Sequence, residues 1–117
     1  MSNEFLDYVE DIIDAMNKAE IAIAGVDYDR FAADFMINFV VIRALEIVGE
    51  ATKRLPMSLR DQYPHIPWRK MAGMRDRIIH GYDQVDLEIV WGVVNQEIPT
   101  VKPYIQQILT DYEATQE

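Results

Sequence analysis

Cysteine is absent from this 117-residue chain, which excludes a disulfide scaffold, a thiol nucleophile and thiolate metal sites. Histidine is nearly absent, with only His65 and His80, and no His-x-x-x-His or carboxylate–histidine cluster suggests zinc. There is no glycine-rich phosphate loop and no serine-centred nucleophile motif. Apolar runs are too short to span a bilayer, and Met1-Ser2-Asn3-Glu4-Phe5 lacks the basic-then-apolar layout of a signal peptide. A soluble, cytoplasmic protein without a membrane partner is therefore expected. Basic residues are scarce as well, 11 against 20 acidic, for a net charge of −9. On its face that argues against nucleic acid as a partner.

The distribution of charge weakens that exclusion. Half of the residues are apolar, enough for one folded domain over residues 1–117. Between Ala51 and Tyr82 stand Lys53, Arg54, Arg60, Arg69, Lys70, Arg75 and Arg77 against Asp61 and Asp76, a local net charge of +5. The rest of the chain carries −14. Charge alone leaves an ordinary solvated face and a nucleic-acid surface about equally matched.

Helical periodicity dominates. Phe5, Tyr8, Val9, Ile12, Ile13 and Met16 form an amphipathic stripe over residues 4 to about 24, with Gly25 as a stop and Asp27 or Asp29 as the next cap. A second helical stretch runs from Tyr28 to about Leu55, with a break near Asp34. Its apolar residues, from Phe35 to Val48, cover almost the whole circumference, which hints at burial against a second subunit. Gly49 suggests close helix packing, and Arg43 and Glu46 are spaced to pair with each other. After Pro56, one or two turns over 57–63 lead to a connector framed by Pro64 and Pro67, where His65 reads as a surface residue. The next helix is expected from Pro67 to Ile79 or His80. Asp86 is a credible cap for a last helix whose apolar phase persists through Pro99 and Pro103, implying a kink or two helices sharing one face, with fraying after Tyr112. No strand pattern is apparent. The expected architecture is an all-α, up-and-down helical bundle of four to five main helices.

One stretch crowds the reactive residue types together: Arg75-Asp76-Arg77-Ile78-Ile79-His80-Gly81-Tyr82. Arginine offers a planar fork of donors for phosphate oxygens, and histidine moves a proton near neutral pH. In a continuous helix Asp76 and His80 would be i, i+4 neighbours, so Asp76 could orient the ring. Arg75 would lie about 140° away from His80, so both could face one phosphate only if the helix unwound or a partner chain completed the site. Arg77 is the rival for the phosphate-contacting role. The plainer reading makes His80 a helix C-cap and Tyr82 a core residue, and residue chemistry alone favours that reading somewhat.

The pattern Arg75-x4-His80-x-Tyr82 resembles the Arg-x4–6-His motif of the HEPN superfamily, in the Arg-x4-His-x-Tyr form of HepT-like toxins. Further blocks are similar in matching order: Arg43-Ala44-Leu45-Glu46-Ile47-Val48-Gly49-Glu50-Ala51, Lys53-Arg54-Leu55, Tyr63-Pro64-His65-Ile66-Pro67-Trp68, Gly73-Met74-Arg75-Asp76 and Asp86-Leu87-Glu88-Ile89-Val90-Trp91. The resemblance covers essentially the whole chain. It implies a helical homodimer acting as an endoribonuclease toxin that needs no metal and no cofactor, with sites along a cleft between subunits. Carried over by position, Arg75 and His80 are the catalytic pair and Asp76 is the polar residue after the arginine. His80 would deprotonate a ribose 2′-hydroxyl and Arg75 would stabilise the phosphorane. Lys70, Arg69 and Arg77 are weaker candidates for RNA contact. The resemblance further implies a separate MNT-type nucleotidyltransferase antitoxin that silences the toxin by transferring AMP to Tyr82. The rival expectation is a non-catalytic HEPN subunit that docks a nucleotidyltransferase and presents a nucleotide or substrate.

Overall fold

The computed structural model describes residues 5–116. Helix α1 (Phe5–Ile23) ends before Gly25, whose φ of +72° supplies the left-handed turn that glycine adopts most easily. Asp27 then caps α2 (Tyr28–Ala33), accepting from the Arg30 N–H at 2.9 Å. The expected break falls at Asp34, which caps α3 (Phe35–Lys53) by accepting from the Met36 N–H at 2.9 Å. Asn38, buried on α3, donates to the Phe31 carbonyl at 3.0 Å and so satisfies an end of α2.

Helices α1 and α3 pack along each other and form the centre of the bundle. A long C-terminal helix, α8 (Ile98–Gln116), lies on α1. The inner side of α3 carries Val41, Ala44, Leu45 and Val48, which meet Val9, Ile12 and Met16 of α1 in one continuous core. Short helices α4 (Met57–Gln62) and α5 (Trp68–Ala72) bracket the proline connector. The indole N–H of Trp68 donates to the Tyr63 carbonyl at 3.0 Å, and the Tyr63 hydroxyl donates to Asp111 of α8 at 2.7 Å. Those two bonds hold the connector against the end of α8. His65 is exposed and stands edge-on to Tyr104, ring centroids 4.9 Å apart.

Two expectations fail in the same region. The helix predicted over 67–80 is interrupted at Gly73, resumes as α6 (Met74–Ile78), and ends there. The chain then forms a small antiparallel hairpin, β1 (Ile79–Gly81) with β2 (Gln84–Val85), where the sequence pattern shows no strand. Ile78 and Ile79 are β-branched and favour extended backbone, while Gly81 adopts φ +157°, an irregularity in the ladder that a side chain would resist. The hairpin leads into α7 (Leu87–Gly92), capped by Asp86 as expected.

The C-terminal helical run does not break at its prolines. Helix α7 passes through a π-helical turn at Val93–Glu97 into α8, with the Ile98 N–H donating to the Val93 carbonyl five residues back. Pro99 follows at once, and the wider turn accommodates a ring that would crowd the Asn95 carbonyl of an α-helix. Helix α8 continues through Gln116, past the fraying expected after Tyr112. Among the described residues no helix is long and apolar enough to cross a membrane.

Candidate active site

The site is built on α6 and the hairpin. A Cβ on Gly49 of α3 would stand 3.1 Å from the Met74 Cβ and 3.3 Å from the Met71 carbonyl oxygen. This is the close packing that Gly49 suggested, and it lets the α5–α6 junction lie directly on α3. Met74 and Ile78, one turn apart on α6, are buried. Anchoring that stripe leaves Arg75 and Asp76 exposed on the outer side. Neither makes an ion pair among the described residues.

Arg77 has a different fate. Its guanidinium makes a bidentate bond to Glu97 in the π-helical turn, at 3.0 and 2.6 Å, and both side chains are largely shielded. Lys70 approaches the same carboxylate at 3.7 Å. Burial pushes the Glu97 carboxyl up, but the hydrogen bonds and charges of Arg77 and Lys70 outweigh it and hold the group below its ordinary range. Arg77 thus ties α6 to the C-terminal helical run. Arg69 remains exposed on α5, and Lys70 is exposed apart from its reach toward Glu97. Arg43, expected to pair with Glu46, makes no ion pair among the described residues.

His80 is exposed on β1, out of the helix that sequence periodicity assigned to it. It is therefore not an i, i+4 helical neighbour of Asp76, and no hydrogen bond or ion pair joins the two among the described residues. Nor is it a helix cap. The hairpin that carries it is pinned at its base, where the Asp86 N–H donates to the carbonyl of buried Ile78 at 2.8 Å. The two-residue turn Tyr82-Asp83 presents the Tyr82 side chain entirely to solvent, unlike the core tyrosine of the plainer reading. Arg75, His80 and Tyr82 thus sit on consecutive elements and are each exposed, the helix having ended between the first two. Among the described residues no three histidine, aspartate or glutamate side chains group to hold a metal ion.

The sequence model of the Ribonuclease HepT-like family matches residues 12–108. The chain belongs to the HepT-like ribonuclease family. It is 40% identical over 110 residues to "Putative RNase MJ0125" of Methanocaldococcus jannaschii, covering 94% of this chain and 89% of the relative. It is likewise 40% identical over 108 residues to "Probable ribonuclease HepT" of Thermococcus cleftensis, covering 92% of this chain and 98% of the relative. No solved structure gives a significant match. As a HepT-like ribonuclease, the protein is an RNA-cleaving enzyme of the HEPN type.

Sequence reasoning did not find Glu97, which lies in an apolar helical stretch twenty residues from Arg77 with no pattern linking the two. It also passed over Tyr28, Gln84 and Glu88, which line a concavity with His80. Tyr28 reaches that concavity through the fold, and nothing in its local sequence marks it.

Proposed function

We propose that this HepT-like ribonuclease is a cytoplasmic, metal-independent endoribonuclease toxin that works as a homodimer and is silenced by an MNT-type nucleotidyltransferase antitoxin. His80 takes the proton from a ribose 2′-hydroxyl, whose oxygen attacks the adjacent phosphodiester. Arg75 stabilises the charge that develops on the phosphorane oxygens. His80, or its copy across the dimer, protonates the departing 5′-oxygen, so the products are a 2′,3′-cyclic phosphate and a 5′-hydroxyl. Asp76 follows the arginine on the same exposed face and contributes to the local field.

The observation that carries this reading is the division of labour between the two arginines. Arg77 is occupied by Glu97, whereas Arg75 is exposed and unpaired among the described residues, as is His80. Dimerisation is supported by α3, where Phe35, Met36, Phe39 and Val40 are exposed, Met36 and Val40 lining a shallow apolar hollow with Ile21 of α1. Phe35 and Phe39 are 64% and 66% exposed, a strongly apolar patch for a single chain in water. The exposure of Tyr82 at the hairpin tip supports enzymatic modification there. An AMP group on it would place bulk and negative charge on the strand pair that holds His80, repelling an RNA phosphate.

The test is cleavage of labelled RNA in EDTA by wild type and His80→Ala, each first checked by intact mass for AMP. Cleavage by wild type alone, leaving cyclic-phosphate ends, is expected. Cleavage by His80→Ala removes the assigned base. Cleavage by neither unmodified protein overturns the mechanism in favour of a subunit that docks a nucleotidyltransferase without cutting.

A further inference from the structure

His80 opens onto a shallow concavity of about 440 Å³, shared with the first residue of α2, the hairpin and the first turn of α7. That lies within the range of roughly 300–1,000 Å³ common for small-ligand sites. Tyr28, Val85 and Leu87 form its apolar wall, each half-buried. The Tyr28 ring is braced edge-on by Trp91, with centroids 5.9 Å apart. The polar rim is Gln84, Asp86 and Glu88. Asp86 is engaged as the α7 cap, while the side chains of Gln84 and Glu88 make no hydrogen bond among the described residues.

Two carboxylates make this concavity hostile to phosphate, so the scissile group belongs outside it. A planar, uncharged ligand with hydrogen-bond donors suits it far better. In a reaction begun by His80 at a ribose 2′-hydroxyl, the base on that same ribose is the group held nearest to His80. We propose that the concavity is a nucleobase subsite selecting guanine on the 5′ side of the scissile phosphate, with Tyr28 and Leu87 against the ring and Glu88 on the Watson–Crick edge. The inference rests on the 2′-hydroxyl mechanism for its placement next to the cut.

The choice of base follows from donor counting. A carboxylate has two acceptor oxygens and no donor. Guanine alone offers two adjacent donors, N1–H and the N2 amine, to such a group. Adenine and cytosine set one donor beside a ring nitrogen lone pair, which a carboxylate repels. Uracil has a single donor flanked by two carbonyls. The Gln84 amide and the Tyr28 hydroxyl supply donors for the guanine O6. A phenol is already a donor at neutral pH, and partial burial, then the charges of Glu88, Asp86 and Asp29, push that of Tyr28 up further. Single-stranded RNA is read in this manner, by apolar contact with a base face and hydrogen bonds to its edge.

The experiment has a binding arm and a cleavage arm. Binding is measured by fluorescence anisotropy on four tetranucleotides that differ only in one base and carry a 2′-deoxyribose there, which removes the nucleophile. Cleavage is measured on the matching all-RNA set. Wild type should favour guanine over adenine by about tenfold or more in both arms, the worth of a good bidentate contact. Glu88→Gln should bring that ratio close to one. The ratio is read because losing a negative charge raises affinity for every RNA alike. Tyr28→Phe should weaken guanine binding severalfold, and circular dichroism confirms that each variant is folded. No guanine preference in wild type, or one that Glu88→Gln retains, overturns the subsite. Guanine-selective binding without any cleavage sustains the subsite and sinks the nuclease mechanism. Cleavage with no base preference does the reverse.

Discussion

Replacing Arg77 with alanine should cost this protein stability before it costs any contact with RNA. The side chain makes two charge-assisted bonds to Glu97, at 3.0 and 2.6 Å, with side-chain exposures of 25% and 32%. Open surface pairs contribute about 0–1 kcal/mol, whereas breaking a fully buried pair costs about 3–5 kcal/mol because one charge is stranded. At intermediate burial, with Lys70 left as a weak substitute at 3.7 Å, the loss should be about 2 kcal/mol. For a domain of this size that lowers the melting temperature by roughly 6–10 °C. The pH dependence gives a sharper check. Glu97 titrates below its ordinary value of 4.5 in the folded protein, so the stabilisation is complete above that value and disappears as pH falls through the lower folded one. Melting curves of wild type and Arg77→Ala should therefore stand well apart at pH 7 and converge in strong acid. Adding Glu97→Gln to Arg77→Ala should recover part of the loss, because it removes the stranded charge. Curves that coincide at pH 7, or a gap that persists undiminished in acid, would refute the tether.

The remaining predictions concern the site and its surroundings. Arg75→Ala should lower RNA cleavage by about 100-fold or more, the usual worth of a group that stabilises developing charge, while Arg77→Ala, assayed well below its melting temperature, should lose far less. Gly49→Ala should be destabilising by about 1 kcal/mol despite alanine's better helix propensity, because its methyl meets the Met71 carbonyl and the Met74 Cβ; thermal melts read the change. Phe39→Asp should convert the proposed dimer to monomer in analytical ultracentrifugation, and an unchanged sedimentation profile would reject that face as the interface. Tyr82→Phe should retain most of the cleavage and gain no AMP mass when incubated with the nucleotidyltransferase and ATP.

Most of the bundle was legible because it follows from spacing and capping. The stripe from Phe5 to Met16, the stop at Gly25, the break at Asp34 and the caps at Asp27 and Asp86 each report a local rule that the tertiary structure does not override. The hairpin was hidden for a local reason too. A three-residue strand facing a two-residue strand is too short to show alternation, and Met71, Met74 and Ile78 continue a helical stripe right up to it. The hairpin moves His80 from helix to strand and removes its supposed contact with Asp76. The motif nonetheless marked Arg75, His80 and Tyr82 as one group, because they are close in sequence whatever the backbone does between them. Glu97 and Tyr28 were invisible because only packing brings them to α6 and the hairpin. The resemblance had already put Arg75 ahead of Arg77, and the structure adds a physical reason for that order, the tie of Arg77 to Glu97.

The π-helical turn at Val93–Glu97 bears on how this chain tolerates change in length. A turn closed by a bond five residues back holds one residue more than an ordinary helical turn. Deleting the exposed Gln96 can therefore be absorbed where it falls, by tightening the wide turn to a regular one while the helices on either side keep their faces. The cost would sit at Pro99, whose ring would then meet a carbonyl four residues back. The same deletion at Gln106, inside α8, has no slack to draw on. It would rotate everything beyond by about 100° and swing Ile108 out of the core, taking Asp111 away from Tyr63. Two single-residue deletions ten positions apart in one helical run should thus differ in kind, the first a local strain and the second a loss of packing.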